Sequence, residues 1–183
     1  DQIIDWTKHR PNTFFGEGIV AHTSFGDPFC PNLRETALKA SEQAGAKIHN
    51  TGTYIVIEGP QFSTKAESAM YRSWGADVVG MTAVPEARLA REAELCYVTL
   101  AFVTDYDVWH ETEAEVSVDL VMQNLTQNVA IAHDIIKRML SLLRDTRTCS
   151  CQSALENALI THRDAMNGEI KNKLSILIDK YIN

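Results

Sequence analysis

No apolar run in these 183 residues approaches the roughly 20 needed to cross a bilayer. The opening segment from Asp1 to Arg10 lacks the hydrophobic centre of a secretory signal. Basic charge is not in excess either. A formal charge of -7 and a pI near 5.3 give no general field for nucleic acid or anionic membrane, and leave only local anion sites built from backbone donors and hydroxyls. Four cysteines, Cys30, Cys96, Cys149 and Cys151, show no spacing that makes two close Cys/His pairs, so no metal site is expected. They read as buried free thiols, with Cys149-Ser-Cys151 as a strained redox pair or disulfide the alternative. There is no internal repeat. With 45% hydrophobic and 22% charged residues, the chain is nevertheless an ordinary globular one able to bury a core. These features together lead us to expect a single cytoplasmic domain over residues 1–183, with neither membrane nor nucleic acid as partner.

The opening Asp-Gln-Ile-Ile-Asp-Trp reads as a strand already under way, and the expectation is a processed or truncated chain. A short strand is expected over about Ile19 to Thr23, before a loop rich in glycine and proline. Leu33, Ala37, Leu38, Ala40 and Ala44 recur at helical spacing until Gly45, and the β-branched run Thr-Tyr-Ile-Val-Ile follows as a strand. Thr64-Lys-Ala-Glu67 is a capping box opening a helix to Trp74. Val78 and Val79 make a short strand, Pro85 opens a helix through Leu95, and Cys96 to Thr104 reads as a second strongly apolar strand. Ser117 to Leu143 has the periodicity of a long amphipathic helix. A helical tail is expected over 144–183, with one or two helices between Ala154 and Tyr181. Strands alternating with helices predict an α/β fold: a mixed, largely parallel central sheet flanked by helices, with ligands beyond the strand C-termini.

Three such strand ends carry polar residues a plain core would not need: Glu58 to Thr64, Met81 to Glu86, and Thr104 to Trp109. If strand geometry persists past Thr104, its period of two puts Asp105 and Asp107 on one side, two carboxylates facing one point. Both can equally be surface loop residues, or Asp107 can cap a turn.

The stretches GTYIVIEGPQFSTKAES (Gly52 to Ser68), WGADVVGMTAVPEARLAREAEL (Trp74 to Leu95) and TDYDVW from Thr104 resemble, in order, signatures of the trimeric family of purine nucleoside phosphorylases and methylthioadenosine phosphorylases. The likeness extends back through Asp27-Pro-Phe-Cys-Pro31 and forward through Glu115-Val-Ser-Val118, over about residues 1–143. It implies that Phe62 packs on the purine face, Met81 touches the ribose and Thr82 donates to phosphate. Asp105, Tyr106 and Asp107 would hold the base. The branch acting on 6-oxopurines has Glu where Ser63 stands and Asn where Asp105 stands; carboxylates here suit an exocyclic amino group, so adenine is implied. That branch also has a His near the 5'-hydroxyl where this chain has Val118, an apolar neighbour suited to a methylthio group. His22 matches a histidine reaching the 5' pocket of a neighbouring subunit.

The resemblance thus implies phosphorolysis of 5'-methylthioadenosine, with Asp105 as catalytic residue, inorganic phosphate as co-substrate, no metal or organic cofactor, and a homotrimer or hexamer. A 6-oxopurine nucleoside is the alternative substrate, and a catalytically silent fragment or assembly module the alternative class. The family's glycine-rich phosphate loop, Arg-His pair and further phosphate site are not in this sequence. The expectation is accordingly that the N-terminal part, with the first half of the sheet, is missing, which would expose an apolar edge.

Overall fold

The computed structural model describes residues 1–110 and 118–182, the first four of the latter by backbone alone. Its centre is a parallel three-stranded sheet in the order β1 (Gln2–Trp6), β2 (Thr53–Ile57), β3 (Val78–Gly80). β1 pairs with β2 from Gln2↔Thr53 to Trp6↔Ile57, and β2 with β3 from Tyr54↔Val78 to Val56↔Gly80. Each step crosses over through a helix, α1 (Pro31–Gln43) and then α2 (Lys65–Ser73), as parallel strands require. β2 is buried on both faces: Ile55 and Ile57 pack with Tyr71 of α2, while Val56 packs on Ala83 and Val84. This is why the sequence Thr-Tyr-Ile-Val-Ile is nearly continuous rather than alternating. The capping box forms as expected, with the Glu67 amide donating to Thr64 Oγ1 at 3.2 Å and the Thr64 amide to Glu67 Oε2 at 2.7 Å. α3 (Glu86–Glu92) is shorter than its pattern suggests, ending where Glu94 takes a φ of 55°. The long helix is α4 (Val118–Leu142), packed against α1. Among the described residues, no helix is long and apolar enough to cross a membrane.

Three expectations are corrected. Ile19 to Thr23 is not a sheet strand, and Leu155 to Ile160 is not a helix, for one shared reason. The two segments satisfy each other: Ala21 bridges antiparallel to Leu159, the His22 amide donates to Ala158 O at 2.8 Å, and the Ile160 amide to Val20 O at 2.9 Å. Backbone groups spent across that contact are not available for an i−4 helical ladder. Ile19, Phe15 and Leu155 then share a core with Leu174, Ile178 and Ile182 of the tail. The tail's only α-helices among the described residues are α5 (Gly168–Lys173) and α6 (Ser175–Ile182). Cys96 to Thr104, finally, has a strand's composition but no ladder partner among the described residues. Side-chain amides of α4 reach its end instead, Asn124 to Thr104 O at 2.7 Å and Asn128 to Val103 O at 3.1 Å.

Glu94 fastens the tail. Its carboxylate accepts from the Leu155 amide at 3.0 Å and the Tyr181 hydroxyl at 2.5 Å, and pairs with Lys180 at 2.5 Å while only 11% exposed. Burial alone would raise its pKa, but Lys180, Tyr181 and the Leu155 amide outweigh that and hold it below the ordinary 4.5. A depressed folded pKa adds stability that is complete above the unfolded value and lost as pH falls through the folded one. Between about pH 5 and pH 3 the Tm of the protein should therefore fall more steeply than that of Glu94→Gln, which has no carboxylate to protonate. Parallel Tm curves for the two proteins in thermal scans would refute this.

Candidate active site

Two of the three polar strand ends are tied together by Arg10. Its guanidinium donates through Nη1 to Met81 O at 2.8 Å and Val84 O at 2.6 Å, and through Nη2 to Glu58 O at 3.0 Å and Ile57 O at 3.4 Å. Nε lies 3.5 Å from Glu58 Oε1, and the side chain is only 20% exposed. The planar fork thus closes four carbonyls at the ends of β2 and β3 into one unit, a task that Lys cannot perform with a point charge. The Lys8 amide, helped by Arg10, holds the Glu58 carboxyl below its ordinary range.

Inside that unit the two loops touch. Gly59, at φ 70°, lies against Met81, and an added Cβ would stand 2.5 Å from the Met81 sulfur; only glycine permits the approach. Tyr54 reaches across Gly80 to the next residue but one: its hydroxyl is 3.1 Å from Thr82 Oγ1 and accepts from the Thr82 amide at 3.3 Å. Ala83 follows at φ 73°, a conformation costly for a residue with a Cβ and most often kept where a loop must aim its neighbours. Phe62 is 87% exposed, a large apolar ring presented to solvent from the first loop. Burial raises the pKa of Tyr71, and the neighbouring Ser63 acts the other way.

The third polar segment, Thr104 to Trp109, joins through α2. Asp107 Oδ2 accepts from Ser68 Oγ at 2.5 Å, and the Arg72 guanidinium stacks over Trp109 at 4.0 Å. Asp105 instead accepts from Thr104 Oγ1 at 2.5 Å. With no strand ladder to enforce the period of two, the two carboxylates take different partners instead of sharing one. Tyr106 stacks on His110 at 4.5 Å. Asp105 and Tyr106 also form one end of a cavity of about 860 Å³ that runs along residues 98–106 between α1 and α4. Phe62, Ser63, Met81 and Thr82 do not line it, but Tyr54, whose hydroxyl bonds Thr82, does, so Tyr54 links the cavity to the loop cluster.

His22 lies apart from these residues, in a second hollow of about 650 Å³ shared with Asp27, Arg34, Arg91 and the tail turn at Ser150. Val118 opens α4, but its side chain lies outside the described residues, as does the Glu115-Val-Ser stretch of the motif. The sequence reading missed Arg10 and Tyr54, whose roles depend on contacts 71 and 28 residues away along the chain. It also missed a cluster of thiols. Cys30, Cys96, Cys149 and Cys151 are all free, and their sulfurs lie within 4.8 Å of one another. Spacing along the sequence could not show this cluster, because three separate chain segments supply it. Burial and the neighbouring thiols push Cys96 up to about 11. Cys149 is buried too, yet its bonds with Cys96 and the Cys151 amide bring it down to about 7.

Comparison with known proteins agrees with the fold and extends it. Residues 1–141 match the model of the phosphorylase superfamily. A protein named S-methyl-5'-thioadenosine phosphorylase from Koribacter versatilis is 51% identical over 99% of this chain and 62% of its own length. One of the same name from Geobacter sulfurreducens is 50% identical over 100% of this chain and 64% of its own. The chain thus spans less than two thirds of these relatives. A crystal structure of a methylthioadenosine phosphorylase from an antarctic soil metagenomic library superposes with a TM-score of 0.91 at 46% identity, covering 97% of this chain and 63% of that one.

Proposed function

This chain belongs to the phosphorylase superfamily, and from that premise we propose that the protein cleaves 5'-methylthioadenosine with inorganic phosphate to adenine and 5-methylthioribose-1-phosphate. The observation that carries the reading is the joined pair of strand-end loops, which sets Met81 and Thr82 against the Glu58–Thr64 loop within a fold whose relatives bear that name. Phe62 offers a free face for a purine to stack on, a contact of about 1–3 kcal/mol per base. Ser63 and Tyr106 border the base, Asp107 accepts from its exocyclic amine, and Met81 faces the ribose. Thr82, its hydroxyl direction set by Tyr54, donates to phosphate.

Phosphate attacks the anomeric carbon as the C–N bond to adenine breaks, with positive charge on the sugar and negative charge on the leaving base. Asp105 holds the proton that passes to purine N7, and the dianion stabilises the sugar cation. Val118 and His22, the latter from a neighbouring subunit of a trimer or hexamer, belong to the 5' pocket. No metal or organic cofactor enters the reaction, and the setting is cytoplasmic.

Adenine release from methylthioadenosine, followed with and without phosphate and with inosine for comparison, tests the reading. Phosphate-dependent release with inosine inert is expected. Inosine turnover at a similar rate would contradict the adenine assignment, and release without phosphate would contradict phosphorolysis. Combining Asp105→Asn with Ser63→Glu should shift the kcat/KM ratio toward inosine by at least about tenfold.

A further inference from the structure

The four cysteines converge from three parts of the chain. Cys30 is the N-cap of α1, Cys96 follows α3, and Cys149 and Cys151 flank the start of the turn Ser150–Ser153. Cys30, Cys149 and Cys151 are at most 7% exposed, and Leu33 packs beside them. All four sulfurs lie within 4.8 Å of one another, the Cys96–Cys149 pair at 3.4 Å. A zinc ion with four thiolates at about 2.3 Å has sulfur–sulfur edges of about 3.8 Å, a span that the 3.4 Å pair and the 4.8 Å limit bracket.

The surroundings also suit anionic sulfur. The Leu33 amide points at Cys30 Sγ from 3.5 Å, and the thirteen-residue helix α1 directs its positive end at the group. Four buried soft ligands with no carboxylate or imidazole among them select a thiophilic ion, and four protein ligands leave no open position for chemistry.

We propose that Cys30, Cys96, Cys149 and Cys151 bind one zinc ion in a closed, structural site. The site joins the Asp27–Cys30 loop, the segment after α3 and the start of the tail, three pieces that no strand ladder connects. Binding releases the thiol protons to solvent and involves no change of oxidation state.

The test uses the whole protein, produced with zinc in the medium and purified anaerobically. Elemental analysis should find about one zinc per chain. Removing the zinc and adding cobalt(II) should give the intense thiolate-to-cobalt charge-transfer and ligand-field bands of tetrahedral sulfur coordination. Cys151→Ser should weaken zinc retention against a chelator by at least about tenfold. Protein that carries no zinc, gives no such cobalt bands, and yields either four thiols reactive in denaturant or two disulfides overturns the proposal. Because the cobalt spectrum is read on the native sequence, a Cys151→Ser protein that fails to fold does not decide the matter.

Discussion

Replacing Asp105 with alanine should lower kcat for adenine release by about 10² to 10⁴-fold, the usual contribution of a positioned general acid or base. KM for methylthioadenosine should move far less, because the proton matters most when charge reaches the leaving base. The effect should not come from unfolding. Asp105 is exposed and its only hydrogen bond on the chain among the described residues is from Thr104 Oγ1, so stability should stay within about 0.5 kcal/mol. Asp107→Ala provides the contrast. Asp107 is tied to Ser68 of α2, so its loss should raise KM as well as lower kcat. Steady-state kinetics with a Tm for each variant separates the two roles. An Asp105→Ala enzyme within a few-fold of the parent kcat would remove Asp105 from the reaction.

Arg10→Ala should have the largest effect on stability, about 3 kcal/mol or more in urea unfolding. Four carbonyls, of Ile57, Glu58, Met81 and Val84, accept from one guanidinium in a mostly enclosed position. Bonds to a charged donor contribute about 1.5 to 3 kcal/mol each when measured singly, and they are not additive when one group makes several. Removing the side chain also leaves the carbonyls facing one another without a donor. Arg10→Lys keeps the charge but reaches fewer acceptors, and should recover less than half of the loss. Because the same carbonyls set the Gly59–Met81 contact, whatever Arg10→Ala protein remains folded should show a raised KM. A lysine variant as stable as the parent would mean that charge, and not the fork, holds the loops.

The local chemistry of this protein was legible along the chain. Thr64 and Glu67 announce their helix because both partners of the capping box are three residues apart. The Ile-Val-Ile run announces a strand covered on both faces, and the period of α4 is plain from Met122 to Leu140. The ordered motifs led to the phosphorylase superfamily, and they pointed to Phe62, Met81, Thr82 and Asp105 as residues on loops beyond strand ends.

What the chain could not disclose were the partners of groups whose needs are met from far away. Val20 and Ile160 looked like strand and helix, yet their backbones pair with each other across 140 positions. Cys96 to Thr104 has every residue a strand prefers, but a strand exists only where a neighbour completes its hydrogen bonds. Nothing along the chain marked Arg10 as the residue around which the two loops close, and four scattered cysteines became one cluster. Propensity and spacing act over a few residues and are written into the sequence; hydrogen-bond satisfaction and the meeting of thiols depend on distance in space, and only the folded chain sets that.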